Sequence, residues 1–171
     1  MSSEFEEAKV GMEKLIAESK SVVLGTAGRE ANPLASYAPV VWDEGRSMFV
    51  YVSRMGKHYA QMSSTGRASG MLIEDEATAE NLFARKRLVV DCDVLKIERG
   101  SERFEEKMGL LEERHGETAG YLKELVDFDL FELKPREGRL VLGFGKAYRV
   151  FGDGLSEIGY VGGGGSGHKK K

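Results

Sequence analysis

One cysteine, one tryptophan, three prolines and three histidines among 171 residues leave several kinds of chemistry without the means. Cys92 has no second thiol to meet, which excludes a disulfide framework and any CxxC or four-thiolate metal site, and a lone thiol suits a reducing compartment. Cytoplasm is the expected location. Cys92 also alternates with Val90 and Val94, the setting of a buried inert thiol rather than a nucleophile. His58, His115 and His168 include no i, i+4 pair, so HExxH zinc chemistry is excluded. There is no G-x-S-x-G elbow, and Gly143-Phe144-Gly145 lacks the strand, loop and helix of a dinucleotide fingerprint. Charge of neither sign dominates: 25 Lys and Arg against 28 Asp and Glu give a formal -3, which argues against nucleic-acid binding by phosphate neutralisation. No apolar run approaches the ~20 residues that span a bilayer, and Glu4, Glu6 and Glu7 stand where a signal peptide carries basic residues. Neither a membrane nor secretion is expected.

What is present is 41% hydrophobic content over the length of one domain, enough to bury a core without covalent staples. Ser3 and Glu6 have capping-box spacing, and Phe5, Ala8, Met12, Leu15 and Ile16 then recur at helical period, predicting a first helix to about Lys20. Extended runs follow from Ser21 and from Leu34 to Trp42, separated by turn residues between Gly28 and Pro33. The clearest hairpin joins Val40-Val41-Trp42 to Met48-Phe49-Val50-Tyr51-Val52 through Asp43-Glu44-Gly45. A short helix is expected at Lys57 to Ser64, a strand at Ala68 to Ile73, a helical turn or two at Ala77 to Phe83, and a strand at Leu88 to Ile97. Ser101 can cap a helix through His115, and Tyr121 to Leu125 continues helically. Two last strands, Phe128 to Leu133 and Arg139 to Val150, are joined through 134–138. The sum is a mainly β chain, a six- to seven-stranded antiparallel barrel with flanking helices, as a single domain over 1–161.

Three features point toward a ligand. In the run from Arg139 to Val150, Val141, Gly143, Gly145 and Ala147 are small while Leu140, Leu142, Phe144, Tyr148 and Val150 are mostly large. A bare strand face reads either as a bulge at a barrel corner or as a flat surface for a planar ligand or second subunit. Basic residues cluster at Ser53-Arg54-x-x-Lys57-His58 and at Arg85-Lys86-Arg87, suited to phosphate or propionate groups and equally to a solvated edge. The tail 162–171 is a glycine run ending in His168 and three lysines, which reads as a flexible linker or as a loop delivering His168 to a haem iron.

Ser36-Tyr37-Ala38-Pro39, Ile73-Glu74-Asp75-Glu76-Ala77, Leu82-Phe83-Ala84-Arg85-Lys86-Arg87-Leu88, Asp127-Phe128-x-Leu130-Phe131 and Gly143-Phe144-Gly145-x-Ala147-Tyr148 together resemble the HugZ/HutZ family of bacterial haem-utilisation proteins. That family lies in the FMN-binding split-barrel superfamily typified by pyridoxamine 5'-phosphate oxidase. The resemblance implies a homodimer with haem at the subunit interface, opening the porphyrin with oxygen and electrons from an unknown donor and releasing iron. It implies His168 as axial ligand, Asp127 as the acid beside it, Ser21 as a hydroxyl contacting that acid across the interface, and Arg87 as a basic residue of the haem pocket. Ordering the six residues 162–167 costs roughly 6–12 kcal/mol at about 1–2 per residue, so the loop is expected to be loose without ligand. Two other functions fit the same superfamily: a flavoprotein whose Ser53, Arg54 and Lys57 grip the FMN phosphate, and a haem storage or delivery protein without turnover.

Overall fold

The computed structural model describes residues 3–161; the tail from Gly162, including His168, lies outside them. Helix α1 (Ser3–Glu18) buries one stripe, Ala8, Met12, Leu15 and Ile16, as its periodicity predicts. Strands β1 (Ser21–Ala27), β2 (Pro33–Pro39), β3 (Val41–Trp42) and β4 (Met48–Ser53) follow, then α2 (Lys57–Thr65), β5 (Arg67–Ile73) and β6 (Arg87–Ile97). Helices α3 (Glu102–His115) and α4 (Glu117–Lys123) precede β7 (Phe128–Gly143), β8 (Lys146–Phe151) and β9 (Glu157–Tyr160). All pairings are antiparallel, in the order β2-β1-β5-β6-β7-β4-β3, with β8 added to β7 and β9 to β8.

The branching follows from β7. Its sixteen residues exceed any single neighbour, so β6 covers nearly all of it on one side. On the other side β4 takes Phe128 to Leu133 and β8 takes Gly138 to Gly143. The sheet therefore opens around one long ribbon, giving a split barrel. Val22, Leu24, Val50, Leu72, Leu88, Val90, Leu133 and Leu140 fill its interior against α1. A second cluster, Phe49, Tyr51, Leu130, Phe104, Met108 and Leu111, lies beneath α3. β4 is thus covered on both faces, which is why Met48 to Val52 is continuously apolar. Each of those large side chains contributes about 1.5–3 kcal/mol of burial.

Among the described residues nine strands replace the expected six or seven, for identifiable reasons. Phe128–Gly143 is one strand: the 134–138 segment that reads as a connection carries a β-bulge, where Asp91 pairs Glu137 and Cys92 pairs Pro135, leaving Arg136 extra. The run from Arg139 to Val150 is instead a hairpin, since Gly143 and Gly145 hold φ of 152° and 72° and Val141 pairs back onto Ala147. Those glycines serve a turn rather than a bare strand face. Ala77 to Phe83 forms no α-helix and reaches only into a single 3-10 turn, Leu82–Ala84, which Asn81 caps, while Asp75 accepts from the Ala77 N–H at 2.8 Å. α4 begins at Glu117, four residues before the expected segment. β9 had no apolar run to announce it. It is held by Glu4, whose carboxylate accepts from the Tyr148 and Tyr160 hydroxyls at 3.0 and 2.8 Å.

Gly138 is fixed by a close approach: a Cβ there would lie 2.4 Å from the Val89 carbonyl oxygen, backbone that cannot swing aside. Gly138→Ala should lower the urea unfolding free energy by about 1–3 kcal/mol. Gly109→Ala in α3, where a Cβ meets nothing within 4 Å, should raise it by roughly 0.5–1 kcal/mol. Equal effects of the two substitutions would contradict the packing described.

Candidate functional site

Two groups of the expected residues assemble, at opposite ends of the β6–β7 ribbon. At the first end, Ser53 closes β4 opposite Phe128, and the Arg54 N–H donates to the Asp127 carbonyl at 2.8 Å. The turn that follows leads into α2, with Lys57 its exposed first residue. Ser53, Arg54 and Asp127 therefore meet at one strand end, and Lys57 follows three residues after Arg54. The Ser53 hydroxyl accepts from the Met55 N–H at 3.2 Å, tightening that turn.

The strongest interaction there involves a residue absent from the sequence reading. Arg54 donates in bidentate fashion to Asp129, Nε to Oδ2 at 2.8 Å and Nη2 to Oδ1 at 3.0 Å. The Tyr59 hydroxyl donates to the same Oδ2 at 2.6 Å and Lys96 Nζ stands 4.0 Å away. Asp129 has a side chain only 7% exposed, so its charge is sustained by these donors. The Arg54 hydrogen bonds hold its carboxyl below the usual carboxylate range, against the opposing effect of burial. The same carboxylate pushes the Arg54 guanidinium pKa up, and burial followed by Asp129 raises that of the Tyr59 phenol. An acid directly before the apolar pair Leu130-Phe131 is the signal that could have flagged it, because a buried carboxylate requires a cation.

Asp127 differs. It is half-buried and its carboxylate makes no hydrogen bond or ion pair among the described residues. Met55 and Val126, next to this junction in the chain, are 88% and 78% exposed. An acid with an unengaged carboxylate beside exposed apolar side chains suits a ligand with an apolar body and an N–H donor.

At the second end, Val23 pairs Met71 and Ile73 pairs Arg87, so Ser21 at the start of β1 and Arg87 at the start of β6 lie toward the same end of the sheet. Arg87 Nη1 donates to the Arg85 carbonyl at 2.9 Å. Arg85 is absorbed locally: Nε and Nη2 donate to the Glu74 carbonyl and Nη1 to Glu76 Oε1, pinning the loop between β5 and β6. Ser21 and Arg85 line an open groove of about 980 Å³ with Ile73, Lys86 and Leu142. β6 runs from Arg87 to Ile97, opposite Leu130. At about 3.3 Å per residue the two groups lie roughly 30 Å apart along the ribbon.

Neither described histidine meets a metal-binding partner: His115 Nε2 is 3.0 Å from the Val40 carbonyl, and His58 packs over Gly56 with its pKa lowered by burial. Among the described residues no cluster of three potential ligands forms. Cys92 is fully buried, its thiol pushed up to about 12 by burial, as expected of an inert thiol. Among the same residues, no helix is long and apolar enough to cross a membrane.

Comparison with known proteins gives a consistent result. The family model for pyridoxamine 5'-phosphate oxidase matches residues 10–142. The Vibrio cholerae protein named heme oxygenase HutZ is 40% identical over 141 residues, 82% of this chain and 80% of that protein. The crystal structure of HutZ, called the heme storage protein from Vibrio cholerae, superposes with a TM-score of 0.74 at 34% identity, covering 80% of this chain and 95% of that one. Campylobacter jejuni ChuZ superposes with a TM-score of 0.86 at 28% identity, covering 98% and 67%.

The electrostatics of Asp129 have a pH signature. Its folded pKa is depressed, so the stability it contributes is present above the unfolded carboxyl value of about 3.9 and is lost as pH falls through the folded value. Asp129→Asn should reduce the unfolding free energy at pH 7 by about 1–3 kcal/mol and flatten the loss of stability below about pH 4. Urea titrations at pH 7 and at pH 3 measure both, and an unchanged acid limb would contradict the assignment.

Proposed function

This chain belongs to the pyridoxamine 5'-phosphate oxidase family and to its HugZ/HutZ branch, and from that premise we propose that it binds haem between two copies of itself and opens the porphyrin oxidatively, releasing iron. The observation carrying this reading is the pair of half-sites: Asp127 has no partner for its carboxylate among the described residues, while Ser21 and Arg87 lie at the far end of the ribbon. A two-fold axis that sets two ribbons side by side in opposite directions brings the Ser21 end of one protomer to the Asp127 end of its partner. Each interface then carries two equivalent sites.

Haem supplies an iron that reacts with dioxygen when an outside donor provides electrons. The residues of this chain bind and bias it. His168 is proposed as the residue that would ligate the iron, and Asp127 would accept the second N–H of that imidazole, which would fix the ring and strengthen its donation. Ser21 of the partner subunit would donate its hydroxyl to Asp127 and hold the carboxylate in place. Arg87 provides the cation for a propionate or for charge developing near the iron. Exposed Met55 and Val126 would offer apolar contact to the ring. A buried, unreactive thiol suits a cytoplasmic setting.

The FMN reading draws less support from the same residues. Its phosphate grip needs Arg54, whose guanidinium is already paired with a buried carboxylate, and Ser53 and Lys57 alone make a weak cradle. Storage without turnover predicts the same ligation and is separated by kinetics.

Haemin added to the purified full chain should give a Soret band that His168→Ala abolishes or shifts. Asp127→Ala should retain haem but degrade it about 10–100-fold more slowly with ascorbate and oxygen. Near-normal degradation by Asp127→Ala would refute its role, a Soret band in wild type that persists under turnover conditions would favour storage, and flavin absorbance in the purified protein would favour FMN.

A further inference from the structure

Arg99, two residues beyond β6, makes an unusual set of contacts. Nη1 donates to the Lys123 carbonyl at 2.9 Å. Nη2 faces three acceptors: the Leu125 carbonyl at 2.9 Å, the Phe128 carbonyl at 2.6 Å and the Tyr51 hydroxyl at 2.7 Å. Its guanidinium carbon lies 5.3 Å from the centroid of the Phe104 ring and 6.0 Å from that of Tyr51. No carboxylate pairs with it among the described residues, so a full positive charge is spent on backbone carbonyls. That pattern is a clamp on chain geometry rather than an ion pair.

The clamped segment is the one that presents Asp127. α4 ends at Lys123 and β7 begins at Phe128, so residues 124–127 belong to neither. Arg99 holds the carbonyls of Leu125 and Phe128 on either side of Val126-Asp127, and the Arg54 N–H holds the carbonyl of Asp127 between them. Three successive anchors fix this backbone while the Asp127 carboxylate keeps no partner among the described residues. Tyr51 in turn is locked under α3 against Phe104 and Phe128, at 6.2 and 5.4 Å between ring centroids. The rigidity of the second core cluster thus reaches the junction through one side chain.

We propose that Arg99 is the positioning residue for Asp127, holding the 124–128 backbone so that the carboxylate meets the axial imidazole. The inference rests on the haem reading above. A planar fork of five donors lying on aromatic faces is required, which arginine supplies and lysine does not. Small misplacement of such a carboxylate is costly: outer partners of metal ligands are worth about 10–100-fold in activity.

The test uses the full chain as Arg99→Gln, Arg99→Lys and Tyr51→Phe, beside Asp127→Ala. In the haem-free protein, Arg99→Gln should raise amide exchange at Val126 and Asp127 by about tenfold or more and leave the β6–β7 amides unchanged. With ferrous haem bound, resonance Raman should show the iron–histidine stretch moving toward the value in Asp127→Ala, with haem affinity held within about threefold and degradation slowed about tenfold. Arg99→Lys should fail to restore the stretch, and Tyr51→Phe should move it the same way by less; these two carry the test if the glutamine variant does not fold. A wild-type stretch and rate in the Arg99 variants, with both altered in Asp127→Ala, would overturn the positioning role and leave the haem reading standing. No change in Asp127→Ala itself would overturn both.

Discussion

The ladder between β6 and β7 runs from Arg87 opposite Val141 to Ile97 opposite Leu130, and among the described residues Ser21 and Arg87 lie toward one of its ends and Ser53, Arg54 and Asp127 toward the other. Because β7 is longer than any strand that flanks it on the other side, the sheet divides, with β4 serving one half and β8 the other. The bulge at Arg136 lets the ribbon turn without breaking, and Gly138 lets Val89 backbone press against it. A ribbon held this rigidly cannot fold its two ends together. Chemistry that needs both ends therefore calls for a second copy.

The two acids at the β7 entry illustrate how burial divides structural from reactive charge. Asp129 is buried, tied to Arg54 and Tyr59, and its pKa lies below the usual range because of those donors. Asp127, two residues earlier, is half-buried and unengaged in its own chain among the described residues, and its backbone rather than its carboxylate is what the fold secures. An acid kept unpartnered on a fixed backbone is available to orient a neighbour, which is the service an axial imidazole requires. The relatives that share this fold include one named as a heme oxygenase and described elsewhere as a heme storage protein, and both descriptions begin from the same ligand.

Much of this was legible in the residues. The helical stripe of α1, the β3–β4 hairpin, the Ser101 cap of α3 and the inert thiol all follow from local period, capping and turn chemistry. Where the reading departed from the structure, long-range pairing had overruled local composition: Pro135 and Gly138 look like a loop yet sit in a strand, and Leu142 to Ala147 looks like a strand yet turns back at Gly143 and Gly145. The Ser53, Arg54 and Asp127 grouping comes together because a hairpin strand pairs with a strand some seventy-five residues later, as the Arg54 to Asp129 contact records. Sequence showed the cation at 54 without its buried counter-charge, and it gave no sign that Arg99 grips the loop before β7, since carbonyl acceptors leave no mark on residue type.

The central claim is that one reaction centre draws Asp127 from one protomer and Arg87 from the other. Co-expressing Asp127→Ala with Arg87→Ala, each expected to degrade haem slowly on its own, tests it directly. If the residues come from different protomers, random pairing restores one intact site in each heterodimer, and activity returns to about a quarter of wild type. If both act from the same chain, every site in the mixture carries a defect, and degradation at the level of the single variants would contradict the account.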